Sequence, residues 1–153
     1  MTTETPLEAA SHRQVAVELF NRTWELLDKD RRTDAEEAEM LTAAFASRYH
    51  WRQIGDSKNF SVSDWQVSRV AAVLGNPDLA YEYGRRSLEV AATADLGPFY
   101  VGYGHEALAR AAVLAGNRDE ARQHLASARE LLEQVVDSSA RDLLAADLAD
   151  LDR

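Results

Sequence analysis

The residues that could do chemistry fall in three short clusters: Arg48, His50 and Trp51; Trp65 and Arg69; and Tyr103, His105 and Glu106. An arginine presents a planar fork of donors, so Arg48 or Arg69 could hold a carboxylate or phosphate through two parallel hydrogen bonds. A histidine titrates near neutrality, so His50 or His105 could move a proton. Glu106 could orient an imidazole or serve as a base. Trp51, Trp65, Phe99 and Tyr103 could wall a pocket, because ligand sites combine apolar walls with a few convergent polar groups. The same rings could instead plug the end of a bundle, each polar atom finding a backbone partner. His12 and His124 lie among polar residues and read as solvated.

Other chemistries find less support. Zinc, iron or copper needs three or four ligands, and the chain has no Cys, no His-x-x-x-His and no Glu-x-x-His. A site assembled across helices from His50, His105 and Glu106 is the remaining metal option, and no metal or other cofactor is expected. Gly102-Tyr103-Gly104-His105-Glu106-Ala107 matches Gly-x-Gly-x-x-Ala in form. A dinucleotide fingerprint needs a strand before it, and none is predicted. Each glycine still costs roughly 1 kcal/mol inside a helix. Either the helix starts later, or another backbone or a ligand approaches there. There is no P-loop and no Gly-x-Ser-x-Gly elbow.

The elements that position these residues follow from composition and period. The chain has 153 residues, with 26 acidic against 17 basic side chains and a formal charge of −9. That balance offers no attraction to phosphate backbones or anionic lipid, so neither nucleic acid nor a membrane is an expected partner. No apolar run approaches the roughly 18 residues of a membrane span, and the N-terminus lacks a secretory pattern. The expected location is cytoplasmic. Only three prolines and seven glycines punctuate the chain, and the apolar residues recur at helical spacing.

Seven helices are predicted. The first spans about Leu7 to Asp28. The second, capped by Thr33 with Glu36 three residues on, spans about Asp34 to Ile54. Gly55 to Asn59 reads as a loop, and Ser61 or Ser63 as the cap of a third helix ending at Leu74. Asn76-Pro77 opens a fourth, to about Ala94. Leu96-Gly97-Pro98 launches a fifth, ending at Ala115. Gly116-Asn117 precedes a sixth, about Arg118 to Val135, and Asp137 or Ser138 caps a seventh, ending at Leu151. Short antiparallel connections bring alternate helix ends to one pole, where the aromatic and titratable residues gather.

The chain also repeats itself. A shift of 41 residues pairs Arg69 with Arg110, Ala71 with Ala112, Gly75 with Gly116, Asn76 with Asn117, and Ala80 with Ala121. The run Leu108 to Ala121, with Ala109, Ala112, Gly116, Ala121, Leu125 and Ala128 at small and apolar positions, resembles the centre of a tetratricopeptide repeat. The resemblance covers about residues 61–135, although the spacing exceeds that family's usual 34 residues. It implies stacked helical hairpins whose surface binds peptides or other proteins. Ala46 to Trp51 and Trp65 to Val70 are also similar to segments of a group of small bacterial tetratricopeptide-like proteins. In that group a histidine often stands where this chain has Phe45, and the departure counts against a paired-histidine site on the second helix.

The expected architecture is therefore all-α: antiparallel hairpins stacked as a tetratricopeptide-like bundle of about seven helices in one domain, residues 1–153. Residues 1–6 are expected to be flexible, and residues 137–151 to form a capping helix or to meet a second copy in a homodimer. The leading functional expectation is a non-catalytic module that binds a protein, a peptide or a small molecule at its aromatic pole. The alternative is a small enzyme or sensor for an anionic molecule, with Arg48, Arg69 and Glu106 positioning it near His50 and His105.

Overall fold

Caps and breakers decide where the helices fall in the computed structural model, which describes residues 6–152. Among these residues the chain forms seven helices and no strand: α1 (Ala9–Leu27), α2 (Asp34–Ile54), α3 (Ser57–Val73), α4 (Pro77–Thr93), α5 (Pro98–Ala115), α6 (Arg118–Glu133) and α7 (Ser138–Leu151). No described helix is long and apolar enough to cross a membrane. Of the N-terminal stretch expected to be flexible, residues 1–5 lie outside the described residues.

Thr33 and Glu36 form the reciprocal capping box that their spacing predicts. The start of α3 differs from expectation. Asp56 caps it, accepting from the Asn59 backbone while the Asn59 side chain accepts from the Asp56 N–H. A short amide at the third helical position thus does the work of the usual Glu or Gln, and α3 begins about one turn before Ser61. The two serines are inside the helix. Ser61 donates to the Ser87 carbonyl across to α4, and Ser63 donates back to Phe60.

The two Gly-Asn junctions are equivalent in detail. Gly75 and Gly116 take left-handed conformations at φ 76° and 78°. Asn76 N–H then donates to Ala71 O, and Asn117 N–H to Ala112 O, both at 2.9 Å. Each closes the preceding helix in a Schellman turn, while the same asparagine side chain caps the next helix.

Consecutive helices pack as antiparallel neighbours, and α3, α5 and α7 also touch one another, with α1 reaching α3 through side chains. The odd-numbered helices thereby share one layer and the even-numbered helices flank it. Leu26, Met40, Ala44, Val67 and Val70 form the N-terminal core. Ala109, Leu125, Ala128, Leu144 and Leu148 form the C-terminal core, so α7 closes that end of the stack. Gly104 explains itself here. A Cβ on it would lie 2.7 Å from Leu88 Cα, so α4 crosses α5 against bare backbone. At Gly102 an added Cβ would press on the tip of Leu144, at 2.9 Å, and otherwise make an ordinary 3.8 Å contact with Leu131.

Candidate functional site

Placing α3 beside α5 brings Trp65 next to Tyr103, ring centroids 5.4 Å apart and nearly perpendicular. The series continues on both sides. Trp24 of α1 lies 5.8 Å from Trp65, and Phe99 lies 5.0 Å from Tyr103 and 5.2 Å from Tyr100. These rings do not fill the space between them. They enclose a cleft of about 200 Å³, open to solvent, completed by Ser61, Val62, Ser87 and two residues of α7, Leu143 and Asp147. Its exposed lining is almost wholly apolar. Leu143 is half exposed although it lines the cleft.

A polar cluster lies beside this aromatic wall. Glu106, fully buried, accepts from Trp65 Nε1 at 2.9 Å through Oε2. Its Oε1 accepts from Arg110 Nε at 3.0 Å and also from Arg110 Nη2. Arg69 approaches the same oxygen to 3.8 Å, and its buried Nη1 has no hydrogen-bond partner. Burial lowers the Arg69 pKa, as does the like charge of Arg110, while Glu106 pulls it back up. Tyr103 OH donates to Asp147 Oδ2 at 2.6 Å. Burial, and then that carboxylate, hold the Tyr103 hydroxyl far above the usual phenol range, so it remains a donor.

Four of the eight residues singled out by sequence therefore come together: Trp65, Arg69, Tyr103 and Glu106. The other four do not join them. Arg48 turns to Asp64 on α3, whose other oxygen accepts from Arg52 Nη2 at 3.0 Å. His50 pairs with His12, Nδ1 to Nδ1 at 2.8 Å, and Trp51 is buried beneath the Arg13 guanidinium, 5.4 Å from its ring centre. His105 leaves α5 on the side of α6 and pairs with His124, Nδ1 to Nδ1 at 3.0 Å. His12 and His124, read from sequence as solvated, are thus partners in two histidine pairs. Neither His50 nor His105 lines the cleft, and Glu106 orients an indole and a guanidinium rather than an imidazole. Among the described residues no three His, Asp or Glu side chains are grouped to hold a metal ion.

Sequence reasoning missed Trp24, Arg110, Asp147 and Asp64. Arg110 carried a signal, since it is the repeat mate of Arg69 and both face Glu106. Trp24 and Asp147 carried none, because each reaches the cleft from a terminal helix whose position depends on how the hairpins stack.

Glu106 is sealed from the cleft and engaged by its donors, the histidines are elsewhere, and Asp147 is the one lining residue with a carboxylate. No family model, curated protein or solved structure matches this chain.

Proposed function

We propose that the protein is a non-catalytic binding module of the tetratricopeptide-like kind, with its ligand seat in the aromatic cleft between α1, α3, α5 and α7. The observation that carries this reading is the unfilled cleft itself. Five aromatic rings from three helices pack in series, mostly edge to face, yet leave about 200 Å³ open to solvent. An engineered apolar cavity of about 150 Å³ is enough to bind benzene, so a single substituted ring fits this volume. The repeat-like Schellman turns and the small residues at the helix crossings support a stacked-hairpin scaffold. Such scaffolds present shared surfaces rather than enclosed active sites.

A neutral one-ring probe tests the reading. Titration with 2-phenylethanol is expected to change the emission of Trp24 and Trp65 and to raise the melting temperature as the probe saturates. The variant L143W adds bulk from a half-exposed position, so it is expected to fold normally and to lose the response measured by melting temperature. No response in the natural protein, or an equal one in L143W, would remove the cleft as the seat.

A further inference from the structure

We propose that the cleft selects a cationic ligand: an ammonium group carried on a compact apolar body of about one ring. This rests on the cleft being the ligand seat, and it reverses the charge that the arginines suggest in the sequence.

Two observations carry it. First, the arginines are not available. Arg69 and Arg110 lie around Glu106 and neither lines the cleft. Asp147 does line it, and among the described residues Tyr103 is its one hydrogen-bond donor. That bond takes Oδ2, and no hydrogen bond to Oδ1 is made among the described residues. Arg69 feels the charge of Asp147 but makes no hydrogen bond to it. Second, the walls are aromatic. Trp65 and Phe99 each stand nearly perpendicular to Tyr103, at 80° and 76°, and all three rings line one cleft. Cations are drawn to aromatic faces, most strongly where water is excluded, and a carboxylate set among aromatics completes the charge match.

The chemistry predicts a ranking among three probes of nearly equal size. 2-Phenylethylammonium is expected to bind about tenfold more tightly than 2-phenylethanol, and phenylacetate more weakly than either. Calorimetric titration of the natural protein reads all three. D147N keeps an acceptor for Tyr103 and loses the charge. It should erase the ammonium's advantage while leaving 2-phenylethanol within about twofold.

The outcomes separate the two proposals. If 2-phenylethanol binds but the ammonium binds no better, the cleft stands as a seat and the cation preference is overturned. Tightest binding by phenylacetate would also overturn it. An ammonium preference that survives in D147N would place the recognition elsewhere. If none of the probes binds, the cleft reading falls and takes this one with it.

Discussion

Asp64 and Glu106 are both fully buried carboxylates on odd-numbered helices, and both hold arginines, yet they are built differently. Asp64 divides its oxygens evenly. Arg48 Nε takes Oδ1 and Arg52 Nη2 takes Oδ2, both from one face of α2. Each guanidinium also lies against an aromatic ring, Arg48 5.2 Å from the centre of Tyr83 and Arg52 4.6 Å from that of Phe60. Glu106 is lopsided. Two arginines crowd Oε1, the Trp65 indole has Oε2, and one Arg69 nitrogen is left over. The first cluster is closed and joins two helices. The second adjoins the unfilled aromatic cleft and carries a surplus donor. Both oxygens of Asp64 are matched by one arginine each, whereas Glu106 leaves one neighbouring guanidinium nitrogen without a hydrogen bond.

The sharpest break of this comparison is to neutralise each carboxylate in turn. Glu106→Gln leaves two largely buried guanidiniums facing an uncharged amide, and is expected to cost about 3 kcal/mol in urea unfolding. Asp64→Asn is expected to cost less, about 1.5 kcal/mol, because Arg52 is one-third exposed and can turn to water. Equal losses would mean that the two clusters are energetically alike.

The next test concerns what holds Glu106 in place. Gly104→Ala drives a Cβ into the Leu88 backbone and should cost about 2 kcal/mol despite the better helix propensity of alanine. Gly102→Ala presses on a movable Leu144 methyl, and should cost less than about 1 kcal/mol on the same grounds. A smaller contrast follows from the leftover nitrogen. Arg69→Met removes a buried donor that has no hydrogen-bond partner and should be neutral within about 0.5 kcal/mol, whereas Arg48→Met breaks a made bond and should cost about 1 kcal/mol.

Much of the fold was legible because its signals are local. Thr33 with Glu36, Asn76 with Pro77, and Gly116 with Asn117 set helix ends by their own chemistry. The start of α3 was misread because Asp56 and Asn59 form a box with an unusual partner, while Ser61 and Ser63 offered a more familiar one. The site was legible in level but not in direction. Up-and-down connection predicts which residues lie at one height, and Trp65, Tyr103 and Glu106 do meet. It does not fix which way each helix is turned. His105 and Glu106 are consecutive, hence about 100° apart around α5, and face α6 and α3 respectively. It also hides sliding between helices. Gln66 reaches the Phe20 carbonyl, so the latter half of α1 lies beside the middle of α3 and carries Trp24 into the cleft.

The smallest effect sets two depths of one contact against each other. His12–His50 and His105–His124 each join two imidazoles through Nδ1, so one ring must donate and the other accept. Protonating both puts two N–H groups face to face. Burial lowers the pKa of His105 below the ordinary 6.5, and the charge of His124 adds to it. Burial also lowers His124, while Glu120 opposes the shift. His50 is lowered for the same two reasons, burial and then the charge of His12. A group depressed in the folded state binds more protons when unfolded. Its stabilisation is therefore complete above pH 6.5 and is lost as the pH falls through the lower, folded-state value. Melting temperature should thus drop between pH 7.5 and pH 5. The His105 contact is the more deeply placed, so His105→Asn should flatten that profile more than His50→Asn does. A steeper flattening by His50→Asn would show that the open pair, rather than the enclosed one, carries the acid sensitivity.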